Sequence, residues 1–194
     1  MCADSAPDPG RPSAFFERHR DAIVATAPLG PALDLACGRG RHALALARRG
    51  VPVVAVDRSA EHLAHVDRSA ATARERGERI APIRLVEADL ESTRRPDLER
   101  ASFGVVLVFR YLHRPILAWI ADLVAPGGLL VYETFTTAQR RLGWGPRRDA
   151  FLLEPGELGG AFPGLEVLAY EEGPSDEPRP AETARLLARR PSGT

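Results

Sequence analysis

Apolar and polar positions follow two rhythms that take turns along the chain. Short, almost unbroken apolar runs at residues 32–36, 51–56, 83–87, 104–109 and 129–134 read as strands, with VPVVAV and VVLVF the purest of them. An uninterrupted run is what a strand buried on both faces requires. Between the runs, apolar residues recur at helical spacing over 40–49, 59–75 and 115–124. Gly50 closes the first of these helices as a C-cap signal, Ser59 opens the second as a candidate N-cap, and Pro126-Gly127-Gly128 ends the third. An earlier helix is expected from Ser13, another candidate N-cap, through Ala25, carrying Phe15, Phe16, Ile23 and Val24. Strands separated by helices predict an α/β fold: a doubly wound, mostly parallel sheet with helices on both faces. The last third changes character. Residues 136–151 read as a loop with Gly, Arg and Trp, and 154–162 as a short helix. Runs at 165–170 and 183–189 flank a polar, proline-containing turn and predict an antiparallel hairpin at the sheet's edge. That makes seven strands.

The 194 residues suit one domain. Residues 1–12, rich in Pro, Asp and Ser, read as a flexible tail, and residues 13–194 as a single folded domain. The 26 basic residues are balanced by 26 acidic ones, and every basic residue is Arg; Lys and Asn are both absent. Both missing residues have A-rich codons, so the Arg excess reads as the mark of a high-GC bacterial genome. A nucleic-acid footprint would be a net positive charge, which this balance argues against. The two cysteines, Cys2 and Cys37, make no disulfide framework, so a reducing cytoplasm is expected. No apolar run reaches the roughly 18 residues of a membrane span, and the N-terminal residues lack the apolar core of a signal peptide.

The sharpest chemical signal is LDLACGRGRH, from Leu33 to His42, at a strand-to-helix junction. Gly38 and Gly40 let the backbone turn tightly and approach a ligand, and amides at the following helix start suit an anion. Gly38-x-Gly40-x-x-Ala43 also satisfies the dinucleotide fingerprint, with Asp57 near the position of its ribose-binding acid. A nicotinamide- or flavin-dependent enzyme is therefore a rival reading. Asp34 weighs against it, because a carboxylate just before the turn would repel a pyrophosphate. The same carboxylate favours S-adenosyl-L-methionine, which carries a sulfonium and an α-ammonium. The other acids fall where that ligand needs them. Asp57 ends the second strand and suits the two ribose hydroxyls. Asp89 ends the third, placed to accept from an adenine amino group, with Leu90 against the ring. The fourth strand ends in Arg110-Tyr111-Leu112-His113-Arg114, a polar and aromatic cluster. All of these lie at the carboxyl edge of the sheet, where open α/β sheets bind ligands.

The ordered segments DLACGRGRH, VVAVD, VEADL, FGVVLVFRYLHR and LVAPGGLLVYETF resemble the motifs of class I S-adenosylmethionine-dependent methyltransferases. Within that family the likeness is closer to small bacterial enzymes of the tellurite-resistance type. The resemblance implies a Rossmann-like sheet of seven strands, closed by one antiparallel strand. It implies cofactor contact by Asp34, Gly38, Gly40, Asp57, Asp89 and Leu90, and Arg110 is counted with them. It also implies transfer of the sulfonium methyl to an acceptor, for which Tyr111 and His113 are the candidate catalytic residues. A small-molecule acceptor is expected, since the chain shows no recognition module and no basic patch. A non-catalytic, cofactor-binding regulatory domain is a second alternative.

Two departures stand out. Ala36 replaces the family's usual first glycine, a change that ordinary backbone angles would tolerate, and Arg110 stands where a small polar residue is frequent. The remaining candidates have plainer readings. Asp34 would cap local amides, Cys37 is a small turn residue, and His42 belongs to the surface or meets the cofactor carboxylate. His62 and His65 share a helix face but lack the further ligands that zinc wants, so no metal is expected. Glu133 and Thr134, ending the fifth strand, are weaker acceptor-side candidates. The loop holding Trp144 either covers the pocket or packs on the surface.

Overall fold

The structure, a computed structural model, describes residues 10–175 and 179–192. Residues 1–9 of the expected tail, with Cys2, lie outside the described residues, as do 176–178 of the closing turn.

Seven strands form one sheet: β1 (Ala32–Leu35), β2 (Val53–Asp57), β3 (Ile83–Glu87), β4 (Phe103–Phe109), β5 (Val124–Phe135), β6 (Glu166–Ser175) and β7 (Ala181–Arg189). Their order is β3-β2-β1-β4-β5-β7-β6. The strands β1 to β5 run parallel, and β7 pairs antiparallel with both β5 and β6. The closing hairpin is therefore inserted with β7 inward, leaving β6 as the edge. Every residue of β1, β2 and β4 is buried, as their apolar runs require.

The helices α1 (Ala14–Val24), α2 (Arg41–Ala47), α3 (Ala60–Glu75), α4 (Leu117–Leu123) and α5 (Glu157–Gly160) cover the two faces. On one face Leu33, Val56, Val106, Val108, Leu130 and Leu186 pack against Trp119, Ile120 and Leu123 of α4 and Leu158 of α5. On the other, Ala32, Ala55, Leu107, Val131 and Leu187 meet Phe15, Phe16 and Ile23 of α1, and Ala43 and Leu46 of α2. Strand side chains alternate between these layers with the period of two that a pleated strand imposes.

The serine capping signals hold, whereas the third helix ends at Leu123 and Pro126-Gly127-Gly128 falls within β5. Ser13 Oγ accepts from Phe16 N at 3.1 Å, and Ser59 Oγ accepts from His62 N at 3.3 Å. The expected helix over 154–162 shrinks to four residues, because Pro155, Gly156, Gly159 and Gly160 leave little to propagate it. Among the described residues, no helix is long and apolar enough to cross a membrane.

Candidate functional site

The order of strands reverses at β1, which has β2 on one side and β4 on the other. Connections leave such a switch point in opposite directions, opening a crevice beyond the strands' carboxyl ends. Two adjoining clefts occupy that position. The smaller, about 210 Å³, is lined by Ala36, Asp57, Ser59, Asp89, Leu90 and Tyr111, among others. The larger, about 410 Å³, is lined by Asp34, Gly38, Arg41, His42, Phe109 and Arg110, among others. Ala36, Asp57 and His62 border both, so the clefts are continuous.

The turn after β1 is held by two carboxylates. Asp57 Oδ2 accepts from Gly38 N at 2.8 Å, and Asp57 Oδ1 accepts from Ser59 N at 2.9 Å. This carboxylate joins the glycine turn to the start of α3. Asp34 is 1% exposed, and its Oδ2 accepts from Ala43 N at 3.1 Å, in the first turn of α2. It thus caps that helix and also lines the larger cleft. Burial pushes its carboxyl up to about 7, against the opposing pull of the Ala43 amide and of Arg41.

The two glycines do different work. A side chain on Gly38, whose φ is +54°, would meet no atom within 4 Å, so this backbone faces open space in the cleft. At Gly40, with φ +74°, a Cβ would come within 2.5 Å of Val66 Cγ2. Gly40 therefore lets α2 pack closely on α3, and it lines neither cleft.

Backbone strain borders the crevice. Ala36 has φ +52° and Arg110 φ +56°, both in the left-handed region. The ordinary angles that would tolerate alanine are not found at Ala36: the chain leaves β1 in a conformation that suits glycine. Such a residue costs about 1–2 kcal/mol. Ala36→Gly is therefore expected to stabilise the fold by ~1 kcal/mol, a rise in melting temperature of about 2–4 °C. A fall in that temperature would mean the turn is unstrained. Arg110 donates its backbone N–H to Glu133 O at 2.7 Å, and its guanidinium lies 5.8 Å from the Phe135 ring centroid.

The remaining candidates divide. Asp89 and Leu90 lie in the smaller cleft, and Asp89 Oδ1 accepts from Glu91 N at 2.9 Å. Tyr111 lines that smaller cleft too, and not the larger one that Asp34 and Arg110 line. Neither cleft is lined by His113, whose backbone carbonyl starts the 3-10 turn Arg114–Ile116. Cys37 is buried, which pushes its thiol well above the usual range and keeps it protonated. Trp144 packs edge-on against Phe135 and donates Nε1–H to Pro180 O at 3.0 Å, as a loop packed at the surface does.

Two histidines differ from their sequence reading. His42 is 2% exposed, stacked on Phe109 at 3.7 Å, and its Nε2 accepts from Ser13 N at 3.2 Å. Burial lowers its pKa well below the usual value, so the ring is neutral and its proton sits on Nδ1. It is neither a surface group nor a charged partner for a carboxylate; it ties α1 to α2. His62 lies in both clefts, with Nδ1 3.3 Å from Asp57 Oδ1. The Ser59 cap could have revealed it, because the third helical residue stays close to the strand that precedes it. No group of three metal-ligating side chains is found among the described residues.

The chain is similar to known proteins in sequence and in fold. Residues 32–128 match the family model described as a methyltransferase domain. An uncharacterized methyltransferase of Mycobacterium tuberculosis (strain ATCC 25618 / H37Rv) is 37% identical over 133 residues, 64% of this chain and 62% of that protein. The fold is similar to that of TehB from Haemophilus influenzae, with a TM-score of 0.65 at 20% identity, covering 89% of this chain and 62% of that one. It is also similar to magnesium protoporphyrin IX methyltransferase from Synechocystis with bound SAM, with a TM-score of 0.62 at 17% identity, covering 91% and 80%. The chain thus spans under two thirds of the length of the mycobacterial protein and of TehB. With the family model matched from β1 through the turn that precedes the core of β5, the chain belongs to the class I S-adenosylmethionine-dependent methyltransferases.

Proposed function

We propose that the protein transfers the methyl group of S-adenosyl-L-methionine to a small-molecule acceptor in the cytoplasm, with residues 13–194 acting as one module. The observation that carries this reading is a continuous crevice with carboxylates spread along it, Asp34 in one cleft, Asp89 in the other and Asp57 bordering both. The residues present fit the cofactor. The open face of Gly38 leaves room for close approach of a ligand, Leu90 offers an apolar surface for a base, and Arg110 and Arg41 offer positive charge for a carboxylate. When bound, S-adenosyl-L-methionine supplies a methyl group on a positively charged sulfur, which departs as a neutral thioether.

The chain's residues then have few tasks. Asp57 accepts from the ribose hydroxyls while keeping its hold on the glycine turn. Asp34 places negative charge beside the cationic end, within a site where burial strengthens the attraction. Phe109 and Arg110 border the larger cleft, and the acceptor is assigned to that end. Positioning and exclusion of water are the main catalytic effects for a displacement with so good a leaving group. His113 lines neither cleft, so this reading gives it no contact with the acceptor.

The test is incubation with methyl-labelled S-adenosyl-L-methionine and a panel of small oxygen, nitrogen and sulfur nucleophiles. Label should move to one acceptor class with matching release of S-adenosylhomocysteine. Tight cofactor binding without label transfer to any member would support the non-catalytic alternative.

A further inference from the structure

Two further hollows adjoin near the amino ends of β2 and β3, on the edge of the sheet opposite the crevice. One, about 730 Å³, is lined by Arg48 and Arg49 after α2 and by Arg79 in the loop before β3, among others. The other, about 340 Å³, lies between Arg48 and one side of α3, where His65, Arg68, Ser69, Thr72 and Arg76 stand. Arg48 borders both, so the two form one surface. The α3 residues recur at intervals of three and four, which is why one helix face presents them together. Five exposed guanidinium groups meet here. The one carboxylate among the lining residues is Glu78, whose Oε2 accepts from Arg48 Nε at 3.1 Å. Arg49, Arg68, Arg76 and Arg79 make no ion pair among the described residues.

The plainer causes account for only part of this cluster. The carbonyl end of a helix attracts cations within its last turn. That explains Arg76, the C-cap of α3, but not Arg68 or His65, two turns and more before it. Codon usage explains arginine in place of lysine, but not the shortage of acids at this edge, since the chain holds as many acids as bases. Neighbouring like charges repel, and a concave surface focuses their field on an anion. No basic patch is visible along the sequence; the fold assembles one from the end of α2, one side of α3 and the loop before β3.

We propose that this surface is a second binding site, for a small molecule bearing a chain of phosphate groups. Guanidinium forks pair with phosphate oxygens in bidentate fashion, and the Ser69 and Thr72 hydroxyls add donors on the α3 side. Hollows of this size suit a small ligand. No Phe, Tyr or Trp lines either of them, so a base finds no platform to stack on and the phosphates alone are read. The site lies across the sheet from Asp34, Asp57 and Arg110, so its ligand leaves the methyl-transfer crevice open.

The experiment is calorimetric titration of the full chain at low ionic strength with inorganic triphosphate, adenosine triphosphate, orthophosphate and a short DNA duplex. Triphosphate should bind one per chain, adenosine triphosphate with similar affinity, and orthophosphate at least tenfold more weakly. Much tighter binding of the nucleotide than of triphosphate would mark a base-reading site and overturn the proposal, as would tighter binding of the duplex at equal phosphate concentration. The double variant Arg68→Gln with Arg76→Gln should weaken triphosphate at least tenfold, as loss of charge-assisted contacts does. Arg147→Gln with Arg148→Gln removes the same charge from the loop after β5 and should leave the affinity unchanged. Equal losses in both double variants would mark diffuse attraction to net charge and overturn the assignment. So would a loss in Arg110→Gln, which would put the anion in the crevice, or the absence of triphosphate binding to the wild type.

Discussion

Asp34→Asn is expected to make the protein more stable above neutral pH and to strip it of cofactor affinity. The Asp34 carboxyl is pushed up to about 7 in the folded chain, whereas in the unfolded chain a carboxyl titrates near ~3.9. Between these values the folded state holds a proton that the unfolded state has released. Stability therefore falls as pH rises from about 4 to 7 and carries the full penalty above that window. Asparagine removes the charge and keeps a carbonyl oxygen for the Ala43 amide. The gain at pH 8 should be roughly 2–4 kcal/mol, and it should disappear near pH 4. Over the same change, binding of S-adenosyl-L-methionine should weaken about a hundredfold, because a charge-assisted contact is lost. In the wild type, cofactor affinity should rise with pH through about 7 as the carboxylate forms. Thermal melts at pH 4 and pH 8 with matched titrations check both halves. A variant that melts below the wild type at both pH values would contradict the buried-charge account.

Asp57→Ala has the second large effect, and it is twofold. The side chain accepts from the amides of Gly38 and Ser59, so its removal leaves both donors without that acceptor at the mouth of the cleft. Stability should fall by about 1–3 kcal/mol. Loss of the proposed ribose contacts should weaken cofactor binding by roughly 2–5 kcal/mol. Asp57→Asn keeps one acceptor oxygen and sets its NH2 donor against the other amide, so it should lose part of both the stability and the affinity. Titration with S-adenosylhomocysteine below the melting point of each variant is the check. Unchanged affinity in a folded Asp57→Ala protein would remove Asp57 from the binding site.

The sheet was legible because buried parallel strands must be apolar on both faces, and VVAVD and FGVVLVF carry that constraint residue by residue. The crevice was legible for a related reason: acids at Asp34, Asp57 and Asp89 interrupt apolar strands only at their carboxyl ends. What could not be read locally depends on distant chain. His42 looks like an exposed helix opener until α1 docks above it, and its partner Ser13 lies 29 positions away. Asp34 was weighed as either a cap or a cleft residue, but one buried carboxylate does both. The left-handed turn at Ala36 carries no local sign, since an alanine there reads as ordinary strand. Tyr111 was grouped with His113 by sequence adjacency, whereas the chain turns after β4 and only Tyr111 reaches the clefts. His62 was dismissed with His65 because a helical pair resembles a solvated face. The cap at Ser59 turns the first of them toward Asp57.

The central claim, that this crevice holds S-adenosyl-L-methionine, is tested most directly by calorimetric titration of the purified protein. S-adenosyl-L-methionine and S-adenosylhomocysteine should both bind, and NAD and NADP, in either redox state, should give no binding heat. Binding of a nicotinamide dinucleotide with no response to the sulfonium ligand would contradict the account and restore the dehydrogenase reading of the Gly38–Gly40 turn.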